Sequence, residues 1–176
     1  MKRLRFLILL AVAAIAACEK EDTTEWGKSE TLVRKYRNFD AAAIPDFITR
    51  GVLLSEQEFR LEDRCVWFGH GSGLDGGSRT QYIFFDDNSM WNCIAYDMSN
   101  PSHGCHVRTW EYDKTARTLH TRIKGYTYDY LVEALLPDDR VILNDGQFRL
   151  IMRLHSDRAT IDRFMATYGP LVEAQE

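Results

Sequence analysis

The chain has 176 residues, a formal charge of −4 and a hydrophobic fraction of 45%. The apolar content excludes a disordered chain, and the length supports one domain with a real core. The acidic balance, without a stripe of Lys and Arg, excludes a nucleic-acid binder.

Residues 1–17 differ from the rest. Lys2, Arg3 and Arg5 are their only charges, and Phe6 to Ala17 is an unbroken run of Phe, Leu, Ile, Val and Ala. As a helix the run covers about 18 Å at ~1.5 Å per residue, short of the roughly 30 Å hydrocarbon layer. A basic start, a short apolar stretch and small residues at its end predict a secretory signal peptide. Its removal leaves 159 residues at −7.

Ile15-Ala16-Ala17-Cys18 resembles the lipobox of bacterial lipoproteins, a branched residue and two small ones before a cysteine. The resemblance implies that the Cys18 thiol, as nucleophile, takes a diacylglyceryl group and becomes residue one of the mature chain. Two acyl chains at ~0.8 kcal/mol per buried methylene anchor a protein permanently, whereas one chain binds reversibly. The expected partner is therefore the membrane, through a palmitate-type lipid. Residues 18–28 read as the lipidated cysteine and a polar tether. Within them Lys20-Glu21-Asp22 resembles the Lys-plus-acidic export signal of surface lipoproteins in the Bacteroides group, which implies an outer-membrane anchor displayed on the surface rather than the periplasmic face.

Residues 29–176 read as a single domain. Leu32, Val33, Tyr36 and Phe39 predict a short helix over 30–39 with Ser29 as its N-cap. The stretch from Phe47 to Glu62 suits either a helical turn or an early strand. Eight segments rich in aromatic and β-branched residues then predict strands: 65–68, 80–85, 89–96, 105–112, 118–123, 126–136, 140–143 and 147–155. Turn residues such as Asp86-Asp87-Asn88, Pro137-Asp138-Asp139 and Asn144-Asp145-Gly146 separate them. Such short connections make an antiparallel meander, since a parallel crossover needs a dozen or more residues. Alternation places Tyr126, Tyr128, Tyr130, Val132, Ala134 and Leu136 on one face, and likewise Phe148, Leu150, Met152 and Leu154. At the end, Ile161, Phe164, Met165 and Tyr168 predict a helix capped by Ser156 or Asp157 and stopped by Gly169-Pro170.

This order of a helix, about eight meandering strands and a terminal helix resembles the lipocalin-like barrels of small lipoproteins of the same bacterial group. The resemblance implies a mainly β fold, the meander closing into a barrel; a β-sandwich is the alternative.

Without Cys18 three cysteines remain. A hairpin centred near residue 99 sets Cys93 opposite Cys105, which predicts a disulfide there and a buried thiol at Cys65; three reduced cysteines are the alternative. The same register gathers Trp91, Cys93, Cys105 and Val107 on one face and sends Asn92, His106 and Arg108 to the other. Trp110 breaks the parity of its strand, which suggests a bulge or an aromatic on the far face.

Chemistry is less legible. Gly71, Gly73 and Gly76 carry the letters of a dinucleotide fingerprint, but a strand follows them where that motif needs a helix N-terminus, so a hairpin loop at the lip of a pocket is the expectation. His70, His103, Cys105 and His106 lack the paired spacing of a closed metal site, so neither metal nor cofactor is expected. No arrangement of nucleophile and base is legible, and the chain reads as a binding protein rather than an enzyme. Trp67, Trp91, Tyr126, Tyr128 and Tyr130, with Trp110, are the candidate lining of an apolar interior with hydroxyl and indole donors. Such a lining suits a small apolar or amphipathic molecule or a sugar face. The alternative is an accessory component of a cell-envelope assembly, docked to envelope proteins, with its barrel filled by its own side chains.

Overall fold

A computed structural model describes residues 23–68, 80–94 and 104–173. Residues 1–22, including the predicted signal peptide, Cys18 and the Lys20-Glu21-Asp22 signal, lie outside the described residues. So do the Gly-rich segment 69–77 with His70, and the turn around Asn100 with His103. Among the described residues no helix is long and apolar enough to cross a membrane.

The elements are α1 (Glu25–Tyr36), a 3₁₀ turn (Ala41–Ala43), α2 (Ile44–Ile48), nine strands and α3 (Arg158–Glu173). The strands are β1 (Val52–Arg60), β2 (Cys65–Phe68), β3 (Thr80–Phe84), β4 (Ser89–Ile94), β5 (Cys105–Asp113), β6 (Thr118–Ile123), β7 (Tyr126–Leu136), β8 (Arg140–Asn144) and β9 (Phe148–His155). Strands β3 to β9 pair in sequence order, and β1 pairs with both β3 and β9, so eight antiparallel strands close into a barrel. Closure removes the free edges that a sandwich would keep. The ambiguous stretch 47–62 resolves into α2 and β1, which adds a strand to the predicted eight. Along one flank β1 follows β9 for its whole length. Along the other it pairs first with β3 through Val52–Leu54 and then with β2 through Glu58–Arg60. Gly51 precedes it because a Cβ there would run into the His155 carbonyl.

Three apolar clusters hold this together. The interior cluster includes Leu53, Tyr82, Phe84, Met90, Trp110, Leu119, Tyr130, Val132, Leu143 and Met152, and Ile44, Phe47 and Ile48 of α2 complete it at one end. Outside, α1 lays Trp26, Leu32, Val33 and Tyr36 over Phe59, Ala134, Leu136, Ile142 and Ile151. On another face α3 buries Phe164, Tyr168 and Val172 against Val52, Leu54, Ile83 and the half-cystines Cys93 and Cys105. Full burial of a side chain the size of Phe164 is worth roughly 1.5–3 kcal/mol, so the two helices are bound by packing rather than by propensity.

Four details differ from the sequence reading. α1 starts at Glu25, inside the predicted tether, with Thr24 as its cap: the Gly27 N–H donates to Thr24 Oγ1 at 3.1 Å, while Ser29 Oγ donates to the Trp26 carbonyl. The packing of Trp26 on Phe59 at 5.8 Å draws this extra turn onto the barrel. In β7 a bulge between Val132 and Ala134 reverses the side-chain parity. Tyr130 and Val132 therefore face inward, whereas Ala134 and Leu136 face α1, and Leu135 turns to the interior. α3 is capped by Asp157, whose Oδ1 accepts from the Thr160 N–H, and it runs through Gly169-Pro170 to Glu173. Pro170 removes one helix hydrogen bond, which the burial of Val172 against the barrel offsets. Cys65 is exposed on the short strand β2, its thiol donating to Asp63 Oδ1 at 2.8 Å, and is not the predicted buried thiol.

Candidate functional site

The two ends of the barrel are built differently. At the first, α2 plugs the interior, and the turns below it are tied to the strap that carries it. Arg117 donates to the Arg37 carbonyl at 2.7 Å and stacks on Phe39, and Arg50 pairs with Asp139 at 3.1 Å. Trp110 Nε1 donates to the Phe85 carbonyl at 3.1 Å, satisfying the indole inside the wall. This end is closed by packed side chains.

The other end is where β1, β4, β6 and β8 finish and β3, β5, β7 and β9 begin. Its inward-facing residues are polar. Where β1 leaves β3, the Thr80 N–H lacks a ladder partner; it donates instead to Ser55 Oγ and to buried Glu58 Oε1, each at 3.0 Å. Tyr82 and Tyr130 bring their hydroxyls to 3.4 Å, with rings crossed edge to face at 5.8 Å. Burial, then the neighbouring Tyr130, push the Tyr82 phenol well above its ordinary pKa, so it stays a neutral donor. Beside them Arg108 of β5 is only 9% exposed. Its guanidinium stacks 4.3 Å above the Tyr128 ring, and Nη1 donates to Thr121 Oγ1 at 3.2 Å.

A cleft of about 480 Å³ opens in the wall between β5 and the β6–β7 turn, lined by Arg108, Arg122, Ile123 and Lys124 and bounded on the outer face by Thr109 and by Val172 of α3. It forms because the β5–β6 ladder stops at Thr109 opposite Arg122, so the two strands part toward the mouth. Lys124 and Gly125 make the tight turn from β6 to β7, both at positive φ, as the two-residue hairpin requires. Of the cations lining the cleft, Arg122 pairs with Glu111 at 2.5 Å. Arg108 and Lys124 have no carboxylate at ion-pair distance among the described residues. A second depression of about 440 Å³ lies across the mouth beside Arg60, Gly146 and Phe148.

Exposed apolar side chains mark the rim: Tyr126 is 70% exposed, and Trp67, Tyr128 and Val107 are also open to solvent. Trp67 leans on Phe148 at 6.0 Å and lies under Arg60. The sequence-predicted lining is thus divided. Tyr130 is inside the barrel, while Tyr126, Tyr128 and Trp67 are at its mouth. Trp91 is elsewhere: on the outer face it stacks on Phe164 of α3 at 6.5 Å and touches Phe85, so it does not line the interior. The reason is register. Trp91 shares parity with Cys93, whose disulfide to Cys105 sits under α3 on the outer surface. Trp110 takes the opposite face without a bulge. Among the described residues no three His, Cys, Asp or Glu side chains gather as metal ligands.

Sequence reasoning passed over Arg108 and Lys124. The hairpin register sends Arg108 to the face opposite the disulfide, and the helix that covers the disulfide face makes that opposite face the interior.

No family model and no curated protein sequence matches the chain. Among solved structures it is similar to a DUF4847 family protein from Bacteroides vulgatus ATCC 8482, at 10% identity and a TM-score of 0.41 over 65% of this chain and 99% of that one. It is also similar to a lipocalin-like protein from Bacteroides uniformis ATCC 8492, at 13% identity and a TM-score of 0.40 over 62% of this chain and 99% of that one. Both likenesses are distant, and the fold itself rests on the strand pairings: a closed eight-stranded antiparallel barrel with one added strand, of lipocalin-like build.

Proposed function

We propose that this protein is a lipid-anchored binding module whose barrel holds a small amphipathic molecule at its open mouth, with no catalytic step. The observation that carries the reading is the asymmetry of the barrel: one end is sealed by α2, while the other is rimmed by exposed aromatic side chains, with a 480 Å³ cleft in the wall beside it. That volume is within the roughly 300–1,000 Å³ range of small-molecule sites. The Tyr and Trp rings offer apolar area with polar tips, as an amphipathic ligand requires. Among the described residues the interior below Tyr82 is packed with buried side chains, so the ligand would occupy the mouth rather than the barrel core.

Binding is tested by titrating the full chain with the neutral, environment-sensitive dye N-phenyl-1-naphthylamine. Saturable fluorescence enhancement that Trp67→Ala and Tyr128→Ala weaken supports the reading. Absence of saturable binding overturns it and favours the envelope-accessory alternative, in which the exposed rim contacts a partner protein. The anchor is a separate expectation resting on the lipobox. Cys18→Ala is expected to move the protein from the membrane to the soluble fraction, and unchanged retention overturns lipidation. Protease accessibility in intact cells then separates surface display from the periplasmic face.

A further inference from the structure

We infer that Arg108 is the receptor for an anionic head group, so that the molecule held at the mouth carries a carboxylate or phosphate beside its apolar part. The inference rests on the small-ligand reading and names the class of ligand.

Arg108 is nine-tenths buried, and its guanidinium carries five N–H donors and no acceptor. Taking a guanidinium out of water is costly unless a carboxylate and hydrogen-bond acceptors replace the solvent. Here the replacements are partial. Thr121 accepts one bond from Nη1, and the Tyr128 face supplies a cation–π contact. Nε is buried without an acceptor, and Nη2 has none among the described residues. Nε and Nη2 form the edge of the fork that takes two oxygens of a carboxylate or phosphate in parallel bonds. That edge is the part of Arg108 left unused.

The surroundings agree. On the inner face Asn92 of β4 is a diagonal neighbour of Arg108, and its Oδ1 is also buried without a partner. That oxygen is an acceptor, so it pairs with a ligand O–H or a bridging water, while the free Arg108 edge takes the anionic oxygens. Lys124 lines the same cleft with no carboxylate at ion-pair distance among the described residues, so the field they set there favours an anion. The Tyr128 ring lies under the guanidinium, and Val107 and Ile123 line the same cleft, placing apolar surface next to the anion receptor.

The test uses the full chain and three probes at neutral pH, followed by isothermal titration: decanoate, decanol with the same chain and a neutral head, and inorganic phosphate. Decanoate is expected to bind at least about tenfold more tightly than decanol. Arg108→Gln is expected to remove that advantage, so that decanoate and decanol bind alike, a loss on the scale of one charged hydrogen-bond pair. Arg108→Lys is expected to retain part of it. Without ligand, Arg108→Gln is expected to melt at the same temperature as the wild type or higher, because it removes a buried charge.

If decanoate and decanol bind alike and Arg108→Gln alters neither, the head-group inference is overturned and the small-ligand reading stands. If only phosphate binds, and does so through Arg108, the anion receptor stands and the amphipathic-ligand reading falls. If no probe binds, both fall. A lowered melting temperature with equal loss of decanoate and decanol makes Arg108 a structural residue and overturns the inference.

Discussion

Arg149 and Arg108 are both buried in the wall of one barrel, the first facing out beneath α1 and the second facing in near the mouth. Arg149, 5% exposed, donates from Nε and Nη2 to both carboxylate oxygens of Glu133, at 2.6 and 3.2 Å, and from Nη1 to Glu30 and Ser29. It also stacks on Trp26 at 4.4 Å. Burial alone would lower its pKa, but the bonds and charges of Glu133 and Glu30 outweigh burial and raise it. Arg108 has one hydroxyl and one ring. Among the described residues the fold supplies two carboxylates where the arginine fastens a helix to the barrel and none where it faces the mouth, which separates a structural cation from one with capacity to spare.

The widest test of that contrast is a pair of substitutions. Arg149→Met strips Glu133 of its buried partner and is expected to cost about 3–5 kcal/mol in denaturant unfolding. Arg108→Met is expected to leave stability unchanged or to raise it. Equal losses would erase the distinction between the two sites.

A smaller effect is expected at the disulfide, which lies on the outer face of the strand whose inner face carries Arg108. Its half-cystines are 12 residues apart, and a closed loop of that size stabilises by roughly 2–4 kcal/mol. Cys93→Ala with Cys105→Ala is expected to lose about that much and to loosen the β4–β5 hairpin, seen as faster amide exchange at residues 105–108. Unchanged exchange would show that α3 alone holds β5.

The smallest effect guards against a misreading of acid sensitivity. Burial, more than its charged neighbours, lowers the His155 pKa from its ordinary 6.5. Its neutral form is therefore favoured in the folded state, giving a contribution that is present above pH 6.5 and lost as pH falls toward the folded pKa. His155→Gln is expected to flatten the fall in melting temperature between pH 7 and 5. A fall that persists in the variant belongs to other groups.

Much of the fold was legible because it is written in local pattern. Alternation and turn residues located the strands from Cys65 onward, and the Asp-Gly turn before Phe148 and the apolar stripe through Phe164 marked the last strand and helix. The Cys93–Cys105 register followed from hairpin symmetry. β1 was obscured because its core-facing positions include Ser55 and Glu58, which serve Thr80 and break the apolar alternation. The bulge near Glu133 carries no local signal, since Glu133 leaves the regular pattern to reach Arg149. The site was legible only as a set of aromatics, and Trp91 was drawn into it because a strand pattern does not say which face is the inside.

The sequence by itself determined that the domain is an acidic antiparallel meander flanked by helices, because turn chemistry and side-chain periodicity act between near neighbours. Which face of each strand becomes the interior was decided by tertiary structure. Closure of β1 on β9 and the seating of α1 and α3 assigned the disulfide and Trp91 to the outside and Arg108 to the mouth. Those assignments depend on contacts between residues far apart in the chain, where the periodicity of one strand reads the same from either side.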